Sequence, residues 1–221
     1  MSGLLFITAP SADTKAMNRA LVHIRAFPNP THLKLVLSDS LEDFKALAQG
    51  KGACDSPVTD PDLRPPITNA WAGASLSALE TFVEAVWNTG SNAIAPKLYL
   101  VVDEEGLTGK TCIVAQRICS FEEKPSGECE AHLSGVHDYN RVRIPWDGAA
   151  VVFDNLMIAN LGFEDYVEYD FDTDVNVCVD APTADGQGRW WTADRDPSIK
   201  TTEDKQKEAE LLARLEKEGL V

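Results

Sequence analysis

Arg141-Val-Arg-Ile-Pro-Trp-Asp-Gly-Ala-Ala-Val-Val-Phe-Asp-Asn-Leu-Met-Ile-Ala-Asn-Leu-Gly-Phe-Glu-Asp-Tyr-Val167 is the stretch on which the reading of this chain turns. Val142 and Ile144 alternate with Arg141 and Arg143, the period-two pattern of a strand, and Pro145 with Asp147-Gly148 stops it. A compact apolar stretch follows from Ala149 to Ala159, broken only by Asp154 and Asn155. An unpaired polar group buried there costs roughly 1–3 kcal/mol. Asp154, Asn155 and Asn160 therefore either fasten a tight turn or point polar groups into a pocket. After Gly162, the Phe163–Glu168 segment starts a short helix.

Working toward the N-terminus, Thr111–Ala115 and Lys97–Val102 are apolar strands separated by Asp103-Glu-Glu-Gly106, which reads as a turn. The pair forms a hairpin and brings an antiparallel element into the sheet. Leu76, Leu79, Phe82, Val83 and Val86 line one face of a helix with Ser75 or Ser77 as its cap. The first fifty residues read strand, helix, strand, helix. Leu4–Ala9 and Leu33–Leu37 are the strands, Ser11 caps a helix running to Phe27, and Leu41–Ala48 is the second helical face. Residues 50–70 and 120–140 carry no periodicity and read as long loops.

Toward the C-terminus, Asp170, Asp172 and Asp174 alternate with apolar residues as an edge strand with an acidic outer face. Arg189-Trp190-Trp191 reads as a terminal strand. From Thr201 the chain is a charged helix with a narrow apolar stripe at Leu211, Leu212 and Leu215 and the pairs Glu203–Lys207 and Glu210–Arg214. The fold class expected is α/β, a mixed sheet of about five to seven strands with packed helices. Residues 1–195 form a single globular domain on this reading, and 196–221 a charged C-terminal helix.

Composition narrows the function classes. The chain has 221 residues, 44% of them hydrophobic, and a formal net charge of −15. No basic stripe is available to neutralise phosphates, and an acidic surface is repelled by anionic lipid, so neither nucleic acid nor a membrane is expected as a partner. A basic protein or a small-molecule ligand fits the charge better. The five cysteines are scattered, with no C-x-x-C pair, so a zinc or redox motif is absent and reduced thiols in the cytoplasm are the default. The Asp170-Asp172-Asp174 ladder departs from a calcium loop at Val175, where glycine is needed, and at Ala181, where the bidentate glutamate belongs. No metal or cofactor is expected.

The elements Asp154-Asn155-Leu156, Ile158-Ala159-Asn160 and Phe163-Glu164-Asp165-Tyr166, set after a strand ending in proline, resemble a family of small acidic proteins. That family is a domain of unknown function from bacterial and fungal genomes. It tends to have Asn at position 154 and a capping Asp at position 162, where this chain has Asp154 and Gly162. The resemblance implies no activity, catalytic residue or cofactor.

The candidate chemistry is thin. Asp103 ends a strong strand, the position where open α/β sheets gather ligand-binding groups. Arg141 and Arg143 project from one strand face and can clamp a carboxylate or phosphate, or pair with the chain's own acids. His137, near His132 and Asp138, is a possible general base, and Trp190 a possible stacking platform. Two classes survive. One is a non-catalytic binding or interaction protein, in which these groups are spent on local structure. The other is a metal-free isomerase, lyase or cyclase, with Asp154, Asp103 and His137 doing acid–base work and Asn155, Asn160, Arg141, Arg143 and Trp190 holding substrate. The first is favoured because no catalytic constellation is visible.

Overall fold

The computed structural model describes residues 2–24, 33–42, 62–88, 94–123, 129–133, 138–158, 162–167 and 200–221, and the short strand segments 169–170, 175–176, 178–179 and 189–191. The fold is α/β, with a mixed sheet and helices on both faces, as the alternating strand and helix patterns require.

Strand β1 (Ser2–Ile7) lies between β2 (Leu33–Leu35) and β3 (Ile94–Val102), parallel to both. Strand β4 (Thr111–Arg117) runs antiparallel to β3, and β7 (Tyr139–Pro145) antiparallel to β4. Beyond β7 come β11 (Arg189–Trp191), parallel to it, and β10 (Cys178–Val179). The seven-stranded order is β10-β11-β7-β4-β3-β1-β2. Because β1 is covered on both faces, it is apolar at every position from Leu4 to Ile7 rather than alternating.

On one face Leu5, Ile7, Leu100, Val102, Val114 and Ile144 meet helices α1 (Thr14–Ile24) and α4 (Trp146–Met157). On the other, Leu4, Phe6, Tyr99, Val101 and Ile113 meet helix α2 (Leu76–Trp87) and Trp71. Ser75 caps α2 by accepting from Ala78 N at 3.2 Å. Gly3 shows how tightly the first face is packed: a Cβ there would sit 1.9 Å from Cζ of Phe153.

Several local readings need correction. Asp13, not Ser11, caps α1, accepting from Ala16 N at 2.8 Å, while the Ser11 hydroxyl donates to Glu104 instead. Residues 103–106 are not a simple turn. Asp103 caps a short helix, α3 (Glu104–Gly109), which ends in left-handed Lys110. The apolar stretch after Pro145 is no tight turn either. It is helix α4, because Ala149, Val152, Phe153 and Leu156 recur at three and four residues and share one buried face. Within 120–140, β5 (Cys119–Glu123) and β6 (Cys129–Leu133) form an antiparallel hairpin. Their period-two alternation was obscured in the sequence by Pro125 and Gly127 in the stretch between them. Two further short strands, β8 (Tyr169–Asp170) and β9 (Val175–Asn176), pair with each other. Residues 25–32 and 43–61, where the end of the first helix, the second helical face and most of the 50–70 loop were expected, lie outside the described residues.

The charged C-terminal helix α5 (Thr202–Lys217) docks firmly rather than standing off. Leu215 is fully buried against Val22 and Leu220. Buried Asn18 of α1 donates to the Leu220 carbonyl at 2.8 Å and the Leu63 carbonyl at 3.0 Å, and accepts from Leu63 N at 2.9 Å. Among the described residues, no helix is long and apolar enough to cross a membrane.

Candidate functional site

Strands β1, β3 and β7 point the same way, so Ile7, Val102 and Ile144 end along one edge of the sheet. Asp103 follows β3 directly and Arg143 lies near the end of β7. Arg143 Nη2 donates to Asp103 Oδ2 at 2.7 Å and Nη1 to Oδ1 at 2.9 Å, a two-pronged carboxylate clamp. Nη1 also reaches Thr111 Oγ1 at 3.3 Å, and exposed Glu105 lies 3.3 Å from Nη2. Asp103 Oδ1 accepts as well from Gly106 N at 2.7 Å. A side chain at Gly106 would meet the Thr111 carbonyl at 2.5 Å, so the tight turn beneath Arg143 needs glycine.

Burial by itself raises the Asp103 pKa, but the hydrogen bonds from Arg143 and Gly106 and the guanidinium charge outweigh it and hold the carboxyl below its ordinary value. For Arg143, burial works against the charge, and the bonds to Asp103 win and push its pKa up. This edge therefore carries a locked ion pair rather than a proton donor. Beside it, Ser11 Oγ donates to Glu104 Oε1 at 2.5 Å, tying the loop after β1 to α3.

Arg141, two residues back on the same strand face, meets a different environment. It pairs with Glu80 of α2, and both side chains are only 1% exposed. Tyr99 Oη donates to Glu80 Oε1 at 3.0 Å, and Arg117 pairs with Glu84 one turn along α2. The Arg141 guanidinium stands 5.9 Å from the Tyr139 ring centroid. Burial and the neighbouring Glu80 carboxylate push the Tyr99 hydroxyl pKa well up. The pair of arginines thus spans an interior charge cluster and a rim clamp.

Where α1, α4 and α5 meet, a third group of charges assembles. His23 Nδ1 lies 2.8 Å from Glu208 Oε1 and 3.8 Å from Asp147 Oδ1. Lys200 Nζ donates to the His23 carbonyl at 2.6 Å and to Asp147 Oδ1 at 3.1 Å, and it also pairs with Glu208. The His23 ring stacks on Trp146 at 5.9 Å between centroids. His23, Asp147 and Glu208 form a cluster able to hold a metal ion.

No family model, curated protein or solved structure matches this chain.

Of the residues singled out from sequence, the fold joins Asp103 to Arg143 and leaves Asp154 elsewhere. Asp154 and Asn155 ride the last turn of α4, half-buried, about 10 Å along the helix from Asp147. The adjacent Phe153 packs on Gly3, at the opposite end of β1 from the clamp. Trp190 lies on β11, in register with Arg141. Its side chain, like the residues Asn160 and His137, lies outside the described residues. Sequence reading missed Glu80, although an acid among the apolar positions of α2 is a legible sign of a buried partner. His23, Asp147, Lys200 and Glu208 gave no such sign, because they come from segments far apart in the chain.

Proposed function

We propose that this chain is a cytoplasmic, non-catalytic binding protein whose partner is basic. One observation carries the reading: from Ile144 to Gly188 there are ten carboxylates, Asp147 to Asp185, and no Lys, Arg or His. A run so biased attracts cationic surfaces and repels anionic ones, including nucleic acid and acidic lipid. Lys200 offsets Asp147, but Arg141, Arg143 and Arg117 offset none of the run, since they are already engaged with Glu80, Asp103 and Glu84. Kinship with the small acidic domain of unknown function is part of the same proposal and adds no activity. The cytoplasmic assignment rests on the thiols: Cys112 is free and buried.

The enzyme reading, a metal-free isomerase, lyase or cyclase, draws less support. It asks Asp103 to exchange a proton near neutrality, whereas Arg143 favours the carboxylate.

The test is a titration of the full chain with a fluorescent Lys/Arg-rich peptide and a neutral peptide of equal length. The basic peptide is expected to bind, to weaken steeply as ionic strength rises from about 0.01 to 0.15 M, and to weaken again in D170N/D172N/D174N. Equal binding of the neutral peptide, or none of the basic one at low salt, sinks the reading.

A further inference from the structure

The charge cluster between α1, α4 and α5 is built as a seat for a cation. Its three ligand atoms, His23 Nδ1, Asp147 Oδ1 and a Glu208 carboxylate oxygen, all lie within 4.8 Å of one another. A tetrahedral ion with nitrogen and oxygen arms of about 2.0–2.2 Å sets its ligands about 3.3–3.6 Å apart. The separations from Nδ1, 2.8 Å to Glu208 and 3.8 Å to Asp147, bracket that spacing. Each ligand stands on a different helix: His23 in the last turn of α1, Asp147 in the first turn of α4, Glu208 inside α5. Regular elements hold such groups more accurately than loops do, and stacking on Trp146 fixes the imidazole plane.

A positive charge already occupies this seat. The Lys200 side chain is 7% exposed and its ammonium touches Asp147, Glu208 and the His23 carbonyl. The two carboxylates and the ammonium then sum to one net negative formal charge. A divalent ion taking the same two carboxylates and the imidazole would bring it to neutrality. Imidazole with carboxylate is a donor set suited to zinc, cobalt and their neighbours rather than to calcium or magnesium, which take oxygen throughout.

We propose that His23, Asp147 and Glu208 are the protein ligands of one divalent transition-metal ion of the zinc class, and that its binding displaces the Lys200 ammonium. The lysine acts as the resident cation of the metal-free state and competes with the metal. The two proposals share Asp147 alone, and the substitutions that test the acidic run, at Asp170, Asp172 and Asp174, leave all three ligands in place, so either idea can fail alone.

The experiment titrates the purified full chain with cobalt chloride, read by visible absorption of the bound ion, with zinc chloride as competitor. H23Q, E208Q and K200M are titrated alongside, each with its fold checked by circular dichroism. One bound ion is expected for the wild type, an affinity lowered at least about tenfold in H23Q and E208Q, and raised about tenfold in K200M. In the wild type, bound cobalt should shift the ring resonances of His23 among the four histidines, a readout that needs no variant to fold. No saturable binding to the wild type up to about 1 mM, the range of adventitious affinity, overturns the proposal. So does a shift of another histidine, or unchanged binding in H23Q. Unchanged or weaker binding in K200M overturns the displacement.

Discussion

Arg143 closes on Asp103 through two parallel bonds of 2.7 and 2.9 Å, joining the end of β7 to the cap of α3 across the intervening β4. Asp103 thus holds two jobs at once, neutralising a guanidinium and accepting the Gly106 N–H.

Replacing Asp103 with asparagine keeps a weaker cap and loses the charge pair. A cost of roughly 1–2 kcal/mol is expected in urea unfolding. The carboxyl pKa is depressed in the folded state, so its contribution is full above the unfolded value of about 3.9 and fades as pH falls through the folded one. The gap between wild type and D103N should therefore be constant from about pH 5 upward and shrink below about pH 4. A gap that grows on acidification contradicts the ion pair.

The Glu80–Arg141 pair is buried on both sides, and breaking it strands a charge. E80L or R141M alone should cost about 3–5 kcal/mol, while the double substitution recovers most of that loss. The coupling energy from a double-mutant cycle checks this. Additive losses would mean that the two charges do not depend on each other.

Asn18 anchors the C-terminal helix through its bond to the Leu220 carbonyl and holds Leu63 on both its N–H and its carbonyl. N18A leaves buried polar groups without partners and should destabilise by at least about 2 kcal/mol. Hydrogen exchange should quicken in α5 ahead of the central strands. Uniform quickening through β1 and β3 would place the effect in the core instead.

Cys112 is fully buried on β4, and desolvation pushes its thiol pKa up to about 12, outweighing the opposing pull of the Arg143 charge. The folded protein should resist iodoacetamide at Cys112 near about pH 8, with labelling appearing only in denaturant. Peptide mass spectrometry reads this directly. Rapid labelling of the native protein would show that β4 opens.

Gly3 and Phe153 make a separate packing test. G3A forces the Phe153 ring aside and is expected to cost about 1–3 kcal/mol. F153L should return part of it, measured as a shift in thermal midpoint. No rescue would place the strain in the strand backbone.

Local patterns were legible in the sequence wherever a short-range force sets the conformation. The apolar runs of β1, β3 and β4, a serine cap at 75 or 77 and the β3–β4 pairing follow from periodicity and from hydrogen bonds within one turn. Reading failed where local signals competed. The Asp154-Asn155 pair looked like turn chemistry inside what is a helical repeat, and Pro125 and Gly127, between β5 and β6 in the sequence, hid two alternating strands.

What tertiary structure alone decided is the fate of the charges. Arg141 and Arg143 share a strand, a face and a chemistry, and nothing in their neighbours distinguishes them. Yet α2 covers Arg141 and supplies Glu80, while Arg143 reaches the rim and stays 22% exposed beside Asp103. His23 likewise meets Asp147, Lys200 and Glu208 only because α5 folds back on α1 and α4. The sequence by itself determined the strands and helices whose apolar period is unbroken, such as β1, β3, β4 and α2, because there the choice is settled by neighbours along the chain. The partner and burial of each charge were left to packing, since the field at a side chain is set by whichever distant element closes over it.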